Sequence, residues 1–337
     1  LRPALFSSRD GAYPFSGVTR GLDPRVHPLR KSVFAKKMDC RVKPGNDEGE
    51  IVPTILCPDS EVRIIVPHSW RNCMIRLTSA AAAALLCWLA SAVAQTAPTT
   101  AGPVPSAVIE ELVLANRILN DRGVLDAYGH VSIRHPSDPG RYLMARAIAP
   151  GLVTAEDIME FDLESNPVDR RGRSLFVERF IHGEAYKSRP DVNSVIHTHS
   201  AGVIPFSVTQ TPLRPVIHNA SFLHVGVPVW EIRDAGGATN MLVRDGKLGQ
   251  SLAAALGDKP VALMRGHGNV VVGPNVRVAT ARAIFTDENA RMQAVALSLG
   301  GPVNYISSAE GALRDREPSD PARAWDLWKA NVMKKQN

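Results

Sequence analysis

The sequence predicts an α/β domain with a largely antiparallel sheet. Segments of helical and strand period alternate from about residue 107 onward, several strand pairs are joined too tightly for parallel crossovers, and runs rich in branched residues stand between amphipathic ones.

The elements follow in order. Ile109, Leu112, Val113, Ala115 and Ile118 share one face of a helix that Gly123 ends. Residues 128–134 and 141–144 are strands around the turn His135-Pro136-Ser137-Asp138-Pro139-Gly140. A helix over 177–188 leads into a β-branched strand over 192–197, and a short strand follows at 227–230. Residues 247–256 form a helix, and strands 261–264 and 270–273 flank Gly266-His267-Gly268. Residues 277–299 form a long helix without a breaker. The last helix, 322–333, carries Trp325 and Trp328 and is expected to pack on its own or a neighbouring subunit. No internal repeat is present.

The chain ahead of this domain is of another kind. Residues 1–73 hold no useful helical or strand period and mix Pro, Gly and charge, as in Lys43-Pro44-Gly45-Asn46-Asp47. The stretch 21–48 resembles translated read-through of a repetitive intergenic element of bacterial genomes; a disordered native extension is the alternative. Met74 opens a different pattern: Arg76 supplies a short positive region, 79–90 is a small apolar core, and Ala92-Val93-Ala94 is a small-x-small site before Gln95. That layout predicts a signal peptide over 74–94 and a periplasmic or secreted protein, if translation starts at Met74, and a cytoplasmic one otherwise. The apolar run is short for a membrane span of ~20 residues. The expected divisions are thus an extension (1–73), a signal peptide (74–94), a linker (95–106), the main domain (107–305) and a tail with a helix (306–337).

Charge and thiols exclude several functions. Residues 1–94 hold 13 Lys and Arg against 8 Asp and Glu, whereas the rest holds 26 against 25. The domain is nearly neutral and lacks the clustered positive charge of a nucleic-acid binder. Cys40, Cys57, Cys73 and Cys87 all precede residue 95, so the domain has no cysteine nucleophile, cysteine zinc site or disulfide.

Histidine carries the chemistry. Eight of the ten histidines lie beyond residue 129. In Ile196-His197-Thr198-His199-Ser200, residues i and i+2 of an extended strand project to one side, so His197 and His199 can grip one ion. His267 stands between two glycines at a strand end, presented by a tight turn. Glu178 sits on the helix leading into the His-x-His strand. Three neutral imidazoles and a carboxylate with open positions suit a catalytic rather than a closed structural site.

Residues 178–199, with Ser188-Arg189-Pro190-Asp191 among them, together with Arg265-Gly266-His267-Gly268 and Gly129-His130-Val131-Ser132, resemble the class II aldolase/adducin family. The resemblance covers about residues 107–300. It implies a three-layer αβα fold, a homotetramer with sites at subunit borders, a divalent metal on His197, His199 and His267, and Glu178 as acid/base or extra ligand. Adducin-like members lack the metal site and are structural, and retention of all four residues argues against that option.

Departures from the sugar-phosphate aldolases of the family are informative. Phe176-Val177 replaces a Ser pair that bonds phosphate, Gly129-His130 replaces a Gly-Asn pair, and Ala145-Arg146-Ala147-Ile148-Ala149-Pro150 replaces a Thr-rich phosphate loop. Asn219, after His218, stands where those aldolases use a tyrosine. A phosphate dianion loses its fixed dipoles, and Arg146 offers a fork suited to a carboxylate. Together with Asp157-Ile158-Met159-Glu160-Phe161-Asp162 and Arg179-Phe180-Ile181-His182, the pattern resembles the branch of decarboxylases of hydroxylated aromatic acids and of 2-hydroxy-3-carboxymuconate semialdehyde.

The expected activity is therefore that of a metal-dependent carbon–carbon lyase decarboxylating a small, non-phosphorylated hydroxy or oxo acid through a metal-stabilised enolate. An aldolase or epimerase on a sugar or sugar acid is the alternative enzyme, and an adducin-like binding module the alternative of another class. Zinc is the expected metal, with Mn, Co or Fe also accepted by imidazoles. Arg146, His130, His182 and His218 are the expected substrate contacts. His182, one helical turn after Glu178, is weighed as a group orienting that carboxylate against a helix-surface or interface histidine, and a structural role, or one supporting residues that touch the substrate, is the other reading of His218 and His224.

Overall fold

The computed structural model describes residues 98–316 and 321–335, together with residues 56–57 and 60–61. The chain divides into two units, Leu1–Val93 and Ala94–Asn337. In the first, β1 (Leu56–Cys57) pairs antiparallel with β2 (Ser60–Glu61). The expected signal peptide over 74–94 lies outside the described residues, as does the rest of the extension.

The second unit opens with α1 (Ser106–Asp121), which buries Leu112, Ala115, Ile118 and Leu119. Gly123 then takes φ +70°, a left-handed conformation that glycine adopts without a Cβ penalty, and the helix stops where expected. The hairpin β3 (His130–Arg134) and β4 (Arg141–Ala145) follows, then β5 (Ile158–Asp162). Strand β5 carries little strand signal of its own: its only period-two signal is Met159 and Phe161, set among acids. Its Glu160 instead accepts hydrogen bonds from Thr100 Oγ1 and the Ala101 N–H, so partners far off in sequence complete it.

Next come α2 (Phe180–Ser188), β6 (Ser194–Thr198), α3 (Ile204–Ser207), β7 (Val229–Trp230) and α4 (Ile232–Gly236). In α5 (Gly246–Leu256) the Asp245 side chain accepts from the Leu248 N–H, a cap worth about 1 kcal/mol. Strands β8 (Val261–Met264) and β9 (Gly268–Gly273) precede α6 (Val276–Ser298), capped by Asn275. Helices α7 (Ser308–Arg316) and α8 (Ala322–Lys334) complete the unit, and α7 was not anticipated. Among the described residues no helix is long and apolar enough to cross a membrane.

Seven strands form one sheet in the order β5-β4-β3-β6-β9-β8-β7, antiparallel throughout except for β7 with β8. Side chains alternate across it. Val131, Ile133, Leu143, Ile196, Leu263 and Val271 pack with α1, α6 and α8 on one face. Tyr142, Met144, Val195, Met264, Val270 and Val272 pack with α2 and α5 on the other. The result is the expected three-layer αβα arrangement. Trp325 and Trp328 are buried against this chain's own core, Trp328 lying 6.0 Å from Phe285.

Antiparallel pairing decides which residues meet. His130 lies opposite His197, Thr198 opposite Asn269, and Met264 opposite Gly268. The start of β3, the ends of β4, β6 and β8, and the start of β9 therefore gather at one end of the sheet.

Candidate metal centre

Each putting-in-place has a local cause. His197 alternates with Ile196, so it faces the α2 layer from a fully buried position. His199 lies just past the end of β6. His267 is delivered by the β8–β9 turn, where Gly266 takes φ +62°. A Cβ on Gly268 would lie 1.8 Å from the Thr198 carbonyl oxygen, so glycine lets this turn press against β6. Glu178 stands in a 3₁₀ turn, Val177–Arg179, ahead of α2, with φ −90° and ψ 16°, and not on the helix proper as expected.

The four side chains converge through their outer atoms. His197 Nε2 is 3.2 Å from His199 Nε2, which is 3.0 Å from His267 Nε2. Glu178 Oε2 is 3.4 Å from Nε2 of both His197 and His267. All four ligand atoms lie within 4.8 Å of one another.

The opposite sides of the rings are already engaged. His267 Nδ1 lies 3.0 Å from the Met241 carbonyl oxygen and His197 Nδ1 3.3 Å from that of Asn269. His199 Nδ1 is 3.0 Å from Asp126 Oδ2. These partners only accept, so each neutral ring carries its proton on Nδ1 and turns a bare Nε2 lone pair inward. Three lone pairs and a carboxylate oxygen at such spacing repel unless a cation lies among them. Four ligands at about 2.0–2.1 Å around a tetrahedral ion stand about 3.3 Å apart, close to these separations. The residues fit a divalent metal.

Electrostatics agree. Burial pushes the Glu178 carboxyl up, but the imidazoles of His197 and His267 outweigh it and hold the group below the usual carboxylate range. Burial keeps His197 below the ordinary imidazole range, with Glu178 offsetting part of that shift. Burial also lowers His267, yet the Glu178 carboxylate outweighs it and the net shift is upward.

Three supporting groups escaped the sequence reading. Asp126 accepts from the Tyr128 and Gly129 N–H groups as well as from His199. Burial pushes its carboxyl up, but these donors outweigh it and keep it ionised. Met241, at φ +68°, aims its carbonyl at His267, and two residues on the Val243 N–H donates to Glu178 Oε1 at 2.9 Å. No pattern marks a backbone carbonyl as a ligand's partner, whereas the Asp126-x-x-Gly129 turn was a visible signal.

The expected substrate contacts separate. His130 belongs to the site, its ring 5.2 Å from that of His197 and 4.4 Å from Phe176. Arg146 follows β4 at the same end of the sheet, with its Nε held by Asp157 at 2.6 Å. His182 is fully buried behind His130, so a direct substrate contact does not fit it, and neither does a helix-surface position. Nor is it bonded to Glu178: its ring nitrogens go to His130 and Ser132. His218 is not brought to the cluster within one chain; it lines a separate cavity of about 310 Å³ with Arg282 and Phe285 on the α6 side. His224 pairs with Asp315 of α7.

Known proteins share this sequence family and fold. The class II aldolase and adducin N-terminal domain matches residues 110–294. The chain is 33% identical over 239 residues to decarboxylase tropJ of Talaromyces stipitatus, covering 64% of this chain and 90% of that protein. It is 32% identical over 233 residues to the 3,4-dihydroxyphthalate decarboxylase of Arthrobacter keyseri, covering 65% and 86%. An aldolase II superfamily protein from Pseudomonas syringae shares the fold, with TM-score 0.60, 23% identity, and coverage of 69% of this chain and 95% of that one. So does L-fuculose 1-phosphate aldolase from Glaciozyma antarctica, with TM-score 0.57, 20% identity, and coverage of 70% and 95%. With the matched span taking in Glu178, His197, His199 and His267, the chain belongs to the class II aldolase and adducin N-terminal domain family and is a lyase of it.

Proposed function

We propose that this lyase is a decarboxylase of a small hydroxylated aromatic or oxo carboxylic acid without phosphate. The observation that carries this reading is the wall beside the metal ligands: the Phe176 ring lies 4.4 Å from that of His130. Hydrocarbon there offers a surface for a flat ring and leaves a phosphate oxygen without a donor, at a cost of about 1–3 kcal/mol for each lost bond. The relatives named as decarboxylases support the same reading.

The chain's own groups divide the work. A divalent cation on His197, His199 and His267, with zinc favoured by the three imidazoles, would supply positive charge where negative charge develops on substrate oxygen. Arg146, held through its Nε, keeps its terminal amino groups for the substrate carboxylate. Phe176 excludes water from the reacting face. Glu178, ionised at rest, accepts the proton of the substrate hydroxyl. The carbon–carbon bond to the carboxylate then breaks, CO₂ leaves, and the electron pair stays on the substrate. Glu178 returns its proton to the carbon that lost CO₂, and a solvent proton restores the hydroxyl.

Two further parts of the proposal concern the setting. The Ala92-Val93-Ala94 pattern supports export to the periplasm. Exposed Met292, Val295 and Leu299, at helical spacing at the end of α6, support contact with further copies, as in the homotetramer that the family resemblance implies.

The test is release of CO₂ from 3,4-dihydroxyphthalate by zinc- or manganese-loaded protein, run beside retro-aldol cleavage of L-fuculose 1-phosphate. Turnover of the acid and not of the sugar phosphate is the expected result. The reverse outcome overturns the decarboxylase reading and restores the aldolase alternative.

A further inference from the structure

Behind the metal ligands, four side chains form a continuous hydrogen-bonded row between the sheet and α2. Tyr186 OH lies 2.8 Å from Ser132 Oγ, Ser132 Oγ 2.6 Å from His182 Nδ1, and His182 Nε2 2.7 Å from His130 Nδ1. Two periodicities make the row. His130 and Ser132 are two apart on β3 and face α2, whereas His182 and Tyr186 are four apart on the inner side of α2. None of the four is more than 2% exposed. Burying so many polar groups is costly unless each is satisfied, so every proton in the row must find an acceptor.

That requirement fixes the direction of the row. Each hydroxyl and each neutral imidazole has one proton. Both histidines are neutral: both rings are buried, and their hydrogen-bond partners are each other and the Ser132 hydroxyl, with no carboxylate among the described residues bonded to either to hold a charge. Among the described residues the Tyr186 hydroxyl has Ser132 as its side-chain partner. Run outward from His130, the row would end on Tyr186 and strand a buried phenol proton without an acceptor, the costly arrangement. Run inward, Tyr186 donates to Ser132 and Ser132 donates to His182 Nδ1. The His182 proton then sits on Nε2 and is donated to His130 Nδ1. His130 must therefore carry its own proton on Nε2. Among the described residues that atom has no hydrogen-bond partner, yet it is not among the polar atoms sealed from solvent without one.

We propose that Tyr186, Ser132 and His182 lock His130 as its Nε2–H tautomer, making it a neutral hydrogen-bond donor to the substrate oxygen on which negative charge develops, beside the cation site. His130 is then a catalytic residue, and the other three are positioning residues. A neutral imidazole donates without any change of charge, as a preorganised dipole aimed at a developing oxyanion. The tautomer is independent of the decarboxylase reading, whereas the identity of the substrate oxygen rests on it.

The test has two arms on the full-length, metal-loaded protein. Long-range ¹H–¹⁵N spectra of ¹⁵N-histidine protein should show both His130 and His182 protonated on Nε2, and a proton on Nδ1 of either overturns the lock. Ser132→Ala should release the lock and bring up the Nδ1–H form, with bound metal unchanged; unaltered tautomers in that variant overturn the relay. In the second arm, His130→Gln keeps an N–H near the Nε2 position, whereas His130→Asn places it near Nδ1. With 3,4-dihydroxyphthalate, kcat should fall on the order of 100-fold for Asn and less than about tenfold for Gln, with KM moving less than kcat in both. Equal losses in the two variants overturn the donor role. Wild-type protein inert toward 3,4-dihydroxyphthalate would count against the proposed substrate, and the spectra would still decide the lock.

Discussion

His199 and His267 hold their Nε2 atoms 3.0 Å apart although 68 residues separate them in the chain. Both rings have committed their Nδ1 protons elsewhere, to Asp126 and to the Met241 carbonyl, so the approach is between two lone pairs. A cation turns that repulsion into attraction.

Purified protein should accordingly carry about one divalent ion per chain, and His197→Ala/His199→Ala should lose it, since one imidazole and a carboxylate remain. Elemental analysis checks this. A double variant with its full metal complement would remove the assignment.

Asp126 holds the His199 ring in the orientation and tautomer the ion needs. Removing such a partner typically weakens metal binding about 10- to 100-fold. Asp126→Asn should show a loss of that order in chelator competition, and unchanged affinity would leave Asp126 a mere loop anchor.

Glu178→Gln should keep its metal on three imidazoles and lose most turnover. A positioned acid/base is worth about 10²–10⁴-fold. Simultaneous disappearance of metal and activity would instead make Glu178 chiefly a ligand.

Gly268→Ala places a Cβ against backbone, 1.8 Å from the Thr198 carbonyl oxygen, where neither strand can yield cheaply. Overpacking of this kind costs about 1–3 kcal/mol or more. The variant should unfold at markedly lower denaturant concentration and hold metal poorly; a wild-type midpoint would show that the turn adapts.

Stability should fall with acid through His182. Burial, then the nearby His197 imidazole, pushes it down to about 3 in the fold, while the unfolded residue titrates near 6.5. Between those values the unfolded chain takes up a proton that the folded one refuses, so stability falls as pH drops below about 6.5 and stops falling near 3. The slope is at most about 1.4 kcal/mol per pH unit. His182→Gln should flatten the dependence of the unfolding free energy between pH 6.5 and 4.5. An identical slope in variant and wild type would assign the acid sensitivity to other groups.

The sequence by itself determined the class of the domain and singled out the four residues that the fold brings together as a candidate metal site. Period-two and period-3.6 patterns are local, and residues such as Val195 and Ile196 or Leu112 and Ile118 declare their faces through their neighbours. The His-x-His spacing and the glycines around His267 are likewise local signals for a strand end and a tight turn. Strand β5 was missed because its pairing with β4, not its own residues, makes it a strand. Tertiary structure alone decided which groups stand behind the ligands. Asp126, the Met241 carbonyl and the Val243 N–H reach the site from loops whose positions depend on how distant strands pair. It also sent His218 to another cavity and buried His182 in a row with Ser132 and Tyr186. Spacing along a chain fixes which face a side chain takes, but only the register between elements brings two faces together.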